Sequence, residues 1–273
     1  MIDLHLHTTA SDGTLAPAAL VERAAAAGLT VLSITDHDTV AGLDEARAAA
    51  HALGVRLVDG IEITAVEGTR DVHMLGYFFD PASPALAAFL ERQRADRVRR
   101  VADMAARLDA LGVPIDATDL LDTARREPWR SVGRPQIADA LVAAGHVRGR
   151  DEAFGRWLGD DGPAYVARRG GTPEDVIVLV REAGGIVSLA HPGLLRMDDI
   201  IPRLAHAGLA AIEVCHSDHD VAAERHYRHM AASHGLAVSG GSDYHGECAH
   251  RTAALGAVLL SHADFARLEA RRP

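Results

Sequence analysis

The chain has 273 residues, of which 48% are hydrophobic, enough for one large domain with a substantial core. Its formal net charge of −10 argues against general nucleic-acid coating, and its apolar runs are too short to cross a membrane. Because no signal-like stretch stands at the N-terminus, we expect a cytoplasmic protein, and Cys215 and Cys248 are too few for a disulfide framework or a CxxC metal site.

Short apolar runs typical of strands recur along the chain, with helical patterns between them. The first two helical patterns end at Gly28 and Gly54, residues that favour helix termini. This alternation predicts an α/β fold with a mainly parallel sheet, and the number of units predicts closure into a barrel. The predicted strands are Ile2–Leu4, Val31–Ile34, Val55–Val58, Val72–Phe78, Ile186–Ala190, Ala211–Cys215, Leu236–Ser239 and Leu255–Leu259.

The spacing of the strands changes between Phe78 and Ile186. Elsewhere strand starts lie roughly 20 to 30 residues apart, as expected for single β-α units. This stretch instead contains a long Arg-rich helical pattern near Pro84 to Leu111 and then shorter helical patterns. We therefore predict a helical insertion domain at 80–166 within a barrel formed by 1–79 and 167–273. More than half of the 28 arginines lie between residues 80 and 170, so we expect this region to favour anions.

Histidines and carboxylates lie in or near the predicted strands, most of them at or just after the strand ends. Alternation along the first strand places His5 and His7 on one face, and the carboxyl ends of barrel strands share the face where active sites form. Such a cluster is costly unless cations satisfy it, which predicts a multinuclear metal site that favours Mn, Fe or Zn over Ca. The members are His5, His7, Asp12, His37, Glu62, His73, His191, Asp243 and His245.

Six stretches give the chain a family resemblance. "DLHLHTTASDG", "SITDHDTV", "GIEIT", "DVHMLGY", "LAHPG" and "GSDYH" resemble, in this order, the PHP (polymerase and histidinol phosphatase) family of metal-dependent phosphoesterases. The resemblance covers nearly the whole chain outside the insertion. It implies a distorted (β/α)7 barrel, which removes one of the predicted strands, and two to three divalent metal ions, with Mn favoured and Fe or Zn as alternatives.

The resemblance also implies a role for each ligand. The first metal would be held by His5, His7, Glu62 and Asp243, the second by Glu62 as a bridge with His73 and His191, and the third by Asp12, His37 and His245. Many family members have His where Asp12 stands, which leaves the third metal open. We assign catalytic roles to Glu62, His191 and Asp243.

Within the family, "HTTASDGTL", "ITDHDTVAG" and the insertion most resemble the 3',5'-nucleotide bisphosphate phosphatases, whose relatives include bacterial 5'-to-3' exoribonucleases. The resemblance implies removal of the 3'-phosphate from a small nucleotide bisphosphate. The alternatives are trimming of short RNA, hydrolysis of histidinol phosphate, whose amine the Arg-rich insertion would repel, and a non-catalytic binding module, which should have lost ligands. Nothing in the sequence indicates an obligate protein partner.

Three residues are predicted to contact substrate. In "SVGRPQIADALVAAG", Pro135 suits a first helical position, so the helix would present free N–H groups to an anion beside the forked side chain of Arg134, with Gly133 allowing close approach. The alternative for Arg134 is a surface ion pair. His216 and His219 follow the strand "IEVC" at the predicted barrel mouth, where they could contact substrate or supply a proton.

Overall fold

The computed structural model of the protein describes residues 1–246 and 254–273, so Cys248 lies outside the described residues. Seven strands form one sheet in chain order, and β7 returns to β1 through a bridge between Leu6 and Tyr244. The result is a nearly closed α/β barrel, which confirms the predicted fold class. The strands are β1 (Ile2–Leu6), β2 (Val31–Ile34), β3 (Arg56–Glu67), β4 (Arg70–Tyr77), β5 (Ile186–Leu189), β6 (Ala211–His216) and β7 (Ala237–Gly241).

Eleven α-helices occur in the described ranges. None of them combines the length and apolar character that a membrane-spanning helix needs. A π-turn (Phe154–Leu158) continues the sixth helix, and a 3₁₀ turn (Asp198–Ile200) precedes the ninth. The helices are α1 (Pro17–Ala26), α2 (Leu43–Leu53), α3 (Pro84–Ala110), α4 (Thr118–Arg126), α5 (Arg134–Ala143), α6 (Arg150–Ala153), α7 (Pro173–Glu182), α8 (Pro192–Leu195), α9 (Ile201–Ala207), α10 (Val221–Ser233) and α11 (His262–Glu269).

The strand β4 runs antiparallel to both of its neighbours, β3 and β5. Only Gly68 and Thr69 separate β3 from β4, which is long enough for a hairpin but far too short for a parallel crossover. Because β4 is reversed, its N-terminal half lies at the end of the barrel where the parallel strands finish. The hairpin also extends β3 well beyond Glu62, which was predicted to follow the strand and instead lies inside it.

The predicted eighth strand is wrong. Residues 255–259 form turns and irregular backbone, and the N–H of Leu260 bonds to the carbonyl of Ile2 at the beginning of β1. The apolar run is therefore used to cover the barrel and adds no strand to the sheet. Seven strands agree with the number that the family resemblance implies.

Helices α3 to α6 lie between β4 and α7 and contain a second hydrophobic cluster. Leu86 and Leu90 in the first half of α3 belong to the barrel core, whereas Met104 and Leu108 in its second half belong to the second cluster. One long helix therefore connects the two cores. The division of the chain at residues 80 and 166 into separate domains stays a prediction.

Close approach of β7 to β1 makes a specific demand on Gly241. A Cβ added there would lie 2.3 Å from the backbone N of His5, so Gly241→Ala should force the barrel seam apart and cost roughly 1 to 3 kcal/mol. Gly155→Ala is the matched control, because its Cβ would meet open space. Denaturant titration of the chelator-treated variants checks this, and equal midpoints for both variants would contradict the seam geometry.

Candidate metal centre and adjoining cavity

The predicted ligands converge at one end of the barrel in overlapping groups. Within each group, the potential ligand atoms lie within 4.8 Å of one another. His191 belongs to none of these groups, but its Nε2 lies 3.1 Å from Glu62 Oε1. The groups are His5, His7 and Glu62; His37, Glu62 and His73; His5, His216 and Asp243; and His7, Asp12, His37 and His245.

Glu62 lies between two sets of imidazoles, one for each carboxylate oxygen. Its Oε1 is 2.8 Å from His73 Nδ1 and 3.1 Å from His191 Nε2. Its Oε2 faces the other set, with nitrogens at 3.4 Å on His5, 3.2 Å on His7 and 3.0 Å on His37. Because the two oxygens point at different groups, this geometry suits a carboxylate shared by two metal positions.

The protonation of Glu62 follows from the same contacts. Burial alone would raise the pKa of this carboxyl group, but the charges of His37, His73 and His5 outweigh burial and hold the pKa well below its usual value. Glu62 is therefore anionic at neutral pH, which is the form that binds a metal.

Several buried ring nitrogens at this centre make no hydrogen bond to any described residue, although carboxylate oxygens lie close to them. When the rings are not protonated, a nitrogen lone pair and a carboxylate oxygen repel each other at such distances, and a metal cation between them would be bound by both. The residues thus fit divalent metal ions. The nitrogens are His5 Nε2, His7 Nδ1 and Nε2, His37 Nδ1 and His73 Nδ1.

Asp12 lies in the outermost group, where the third metal was predicted. Its oxygens are 3.3 Å from His245 Nε2, 3.6 Å from His7 Nδ1 and 3.7 Å from His37 Nε2. The rings of His7 and His245 stack at 4.1 Å, so the group is compact. This arrangement contains the three residues predicted for the third metal, together with His7.

Asp243 connects the first group with His216. Its Oδ1 is 3.3 Å from His5 Nε2 and 3.1 Å from His7 Nε2, while His216 Nε2 is 3.3 Å from its Oδ2. His216 is buried beside the metal ligands and does not line the cavity. Its position suits a contact with the metal centre, and the predicted substrate contact of His216 stays a prediction.

His219 does not reach the cavity either. Its Nδ1 lies 2.8 Å from the carbonyl of Val214, its Nε2 accepts a hydrogen bond from the N–H of Gly193, and its ring stacks on Tyr227. Both ring nitrogens are therefore engaged in fixing the loops after β5 and β6. These contacts give His219 a structural role, and its contact with substrate stays a prediction.

A cavity of about 340 Å³ opens between the metal centre and the insertion helices. One wall carries predicted metal ligands, including Glu62 and His191, and the lining also includes apolar side chains such as Met104 and Phe154. Five arginines also line the cavity, of which Arg150 pairs with Asp139. The other four, which we call the arginine cluster, are Arg97, Arg100, Arg134 and Arg168.

The arginine cluster is held by two buried carboxylates. Asp38 pairs with Arg97 at 2.6 Å and Arg168 at 3.2 Å. Asp71 pairs with Arg100 at 3.2 Å and Arg134 at 3.3 Å, and lies 3.8 Å from Arg168. Four guanidinium groups thus meet two buried carboxylates, which leaves an excess of positive charge on this wall.

Unused donors and a perturbed pKa accompany this excess. Arg100 Nη2 and Arg168 Nε are buried without a hydrogen-bond partner in the described part of the chain. Burial, followed by the neighbouring charge of Arg97, lowers the pKa of Arg168 to about 10, so the side chain stays charged at neutral pH. A buried, charged and incompletely paired cluster of this kind favours an anionic ligand.

Arg134 is better paired than Arg100 and Arg168. Besides Asp71, its Nη1 donates at 2.8 Å to Asp160, which lies near the surface, and the guanidinium lies over the rings of Phe154 and Tyr165. The structure thus places Arg134 on the cavity wall, as the phosphate-binding interpretation requires, and also gives it the ion pairs of the alternative interpretation.

Sequence reasoning missed or misread several residues of this region. Asp36 accepts hydrogen bonds from Thr8 and Ser11 and fixes the loop after β1, and Asp38 pairs with Arg97 of the arginine cluster. Arg97 and Arg100 could have been found from the sequence, because residues three apart lie on one face of a helix such as α3. Glu213, a charged residue inside the apolar run "AIEVC", is 2.9 Å from His5 Nδ1 and was not singled out.

An α/β barrel that gathers imidazoles and carboxylates at one end, next to a cationic wall, defines the class of metal-dependent hydrolases that act on anionic esters. Residues 3–127 match the PHP domain, and similarity to relatives extends over most of the sequence, so the chain belongs to the PHP family. The predicted family, and with it the predicted class of hydrolase, is confirmed.

Three relatives show the range of activities among similar proteins. A 3',5'-nucleoside bisphosphate phosphatase from Chromobacterium violaceum is 37% identical over 253 residues, covering 89% of this chain and 87% of the relative. A 5'-3' exoribonuclease from Haemophilus influenzae is 39% identical over 190 residues, covering 70% and 68%. A phosphoribosyl 1,2-cyclic phosphate 1,2-diphosphodiesterase from Eggerthella lenta is 35% identical over 266 residues, covering 90% and 94%.

A solved structure gives the same family assignment at the level of the fold. It belongs to a protein from Bifidobacterium adolescentis assigned as a metal-dependent phosphoesterase, with a TM-score of 0.89 and 36% sequence identity. The match covers 100% of this chain and 96% of the other, so the similarity includes the insertion helices.

Proposed function

We propose that this protein is a metal-dependent phosphatase that removes the 3'-phosphate from nucleoside 3',5'-bisphosphates, releasing phosphate and a nucleoside 5'-monophosphate. The observation that carries the proposal is that one cavity joins the metal centre to the arginine cluster. The metal centre suits the phosphate that reacts, and the arginine cluster suits a second phosphate that does not. The named activity of the Chromobacterium relative supports this assignment.

The spacing along β4 supports a substrate with two phosphates. Asp71, which pairs with the arginines, and His73, which contacts Glu62, are two residues apart and therefore lie on one face of the strand. Two strand residues span roughly 7 Å. The cationic wall thus begins about one sugar away from the metal centre, which suits phosphates on the two sides of one ribose.

The metal ions, when bound, would lower the pKa of a water molecule and neutralise charge on the reacting phosphate. His5, His7, Glu62 and Asp243 would hold the first, Glu62, His73 and His191 the second, and Asp12, His37 and His245 the third. We favour Mn, with Fe or Zn as alternatives, because the ligands mix imidazole with carboxylate. The arginine cluster would orient the second phosphate, and Met104 and Phe154 would exclude water from the far side.

A second candidate function is 5'-to-3' trimming of short RNA. It is favoured by the name of the Haemophilus relative, which this chain matches over 70% of its length. The chemistry at the metal centre would be the same, and the arginine cluster would then contact the phosphate of a terminal nucleotide. Histidinol phosphate suits the cavity less well, because its amine would face an excess of arginine.

A substrate panel separates these candidates. With Mn²⁺ supplied, we expect kcat/KM for adenosine 3',5'-bisphosphate to exceed that for adenosine 3'-monophosphate at least about tenfold, since charge-assisted hydrogen bonds to the second phosphate are worth roughly 1.5 to 3 kcal/mol. The organic product should be adenosine 5'-monophosphate. Shortening of a 5'-phosphorylated oligoribonucleotide, with release of nucleoside 5'-monophosphate and a higher kcat/KM than the bisphosphate, would instead support the exoribonuclease. Absence of hydrolysis of every compound would contradict both.

A further inference from the structure

Glu213 is a fully buried carboxylate on β6 that connects the two halves of the metal centre. Its Oε1 is 2.9 Å from His5 Nδ1, and its Oε2 accepts a hydrogen bond of 2.7 Å from the backbone N–H of His191. His5 belongs to the imidazoles that face Glu62 Oε2, and His191 to those that face Glu62 Oε1. One side chain outside the predicted ligand set therefore contacts a member of each set.

The contact with His5 decides which ring nitrogen carries the proton. A carboxylate oxygen can only accept, so His5 carries a proton on Nδ1, and Nε2 is the nitrogen that is left to bind a metal. That Nε2 lies 3.4 Å from Glu62 Oε2 and 3.3 Å from Asp243 Oδ1 and makes no hydrogen bond within the described residues. A metal cation between Nε2 and the two carboxylate oxygens would be bound by all three atoms.

The contact with His191 fixes an unfavourable backbone conformation. His191 has φ 25° and ψ 59°, in the left-handed region that costs energy for a residue with a side chain. Its N–H is held by Glu213, and the preceding N–H of Ala190 donates to the carbonyl of His73. Held at both points, the segment places the His191 ring with Nε2 3.1 Å from Glu62 Oε1.

We infer that Glu213 is a positioning residue that sets metal affinity at both positions at once, by fixing the His5 tautomer on one side and the His191 backbone on the other. The inference rests on the metal dependence of the proposed function but not on the identity of the nucleotide. Neutralising Glu213 should therefore weaken two metal positions together, although the residue binds neither metal.

The first test is Mn²⁺ binding by Glu213→Gln, measured by titration against a competing chelator. The amide has one acceptor oxygen and one NH2 group that only donates, so its two ends cannot both accept as the two carboxylate oxygens of Glu213 do. We expect affinity at both bridged positions to fall about 10- to 100-fold, with a cooperative fold retained. Glu182→Gln, the same change on the exposed face of α7, is the matched control and should bind Mn²⁺ like the wild type.

The outcomes of this titration are distinct. If Glu213→Gln binds Mn²⁺ as tightly as Glu182→Gln, or loses affinity at one position only, the inference is wrong. If the wild type binds no Mn²⁺, Fe²⁺ or Zn²⁺ at all, the proposed function fails as well.

A second measurement is made on the wild type and does not depend on folding of Glu213→Gln. In the wild type loaded with diamagnetic Zn²⁺, nitrogen-15 NMR of the imidazoles should show a proton on Nδ1 of His5, with the signal assigned by its loss in His5→Gln. A proton on Nε2 of His5 would overturn the inference, because that nitrogen could not then face a metal.

Discussion

Glu62→Gln is expected to lower kcat by about a thousandfold or more at saturating Mn²⁺, which corresponds to about 4 kcal/mol of lost transition-state stabilisation. The amide nearly preserves the shape of the side chain but removes the negative charge that lies between the imidazoles of His73 and His191 on one side and those of His5, His7 and His37 on the other. Two metal positions would lose their shared anion. Steady-state phosphate release from the bisphosphate measures the effect.

A control on the same strand separates chemistry from folding. Glu67→Gln makes the identical change near the end of β3, where Glu67 forms a partly exposed ion pair with Arg203, and it should alter stability by no more than about 1 kcal/mol and leave kcat unchanged. Both variants should unfold cooperatively in chelator. Near-normal turnover of Glu62→Gln under metal saturation would rule out the bridging role.

The barrel could be predicted from the sequence because each strand and helix has a pattern that is visible within a short stretch of residues. Apolar runs such as Val31–Ile34 and Ile186–Leu189 have a length and composition typical of a buried strand, and each is preceded by a helical pattern that ends at glycine. The direction of β4 is not encoded in this way. Val72–Phe78 would look the same in either orientation, and the short turn at Gly68 was the one local signal for a hairpin.

The cluster of potential metal ligands was predictable for a related reason, whereas the ion pairs that shape the adjoining cavity were not. His5 and His7 stand out because imidazoles at alternate positions of a strand are unusual in a core, and the same holds for carboxylates at strand ends. The ion pairs that shape the cavity join residues distant in sequence, such as Asp38 with Arg97, 59 positions apart, and with Arg168, 130 positions apart. Such pairs follow from the fold as a whole, so composition indicates an anion-binding region without indicating which arginines keep unused donors.

The members of the arginine cluster make different contacts, so their substitution should affect stability and substrate binding differently. Arg97 is fully engaged with Asp38, Thr64 and the carbonyl of Val132, so its removal would damage the attachment of α3 to the barrel. Arg134 lies nearer the surface, and its loss would still leave Asp71 paired with Arg100 and close to Arg168. Arg134 is therefore the member whose substitution tests substrate binding with the smallest cost to the fold.

Arg134→Ala should raise KM for adenosine 3',5'-bisphosphate about 10- to 100-fold, in line with the loss of a charge-assisted hydrogen bond worth roughly 1.5 to 3 kcal/mol. KM for a monophosphate ester without the second phosphate should barely change, because the metal centre is untouched. KM of Arg134→Lys for the bisphosphate should lie between those of the wild type and Arg134→Ala, since lysine keeps the charge but not the planar fork. Arg156→Ala, which removes an exposed arginine paired with Glu152 in the same insertion, should behave as the wild type with both substrates. If Arg134→Ala lowers kcat/KM equally for the bisphosphate and for the monophosphate, Arg134 serves the fold or the reacting phosphate. The contact with the second phosphate would then have to be assigned to Arg100 and Arg168, whose buried donors have no hydrogen-bond partner within the described residues.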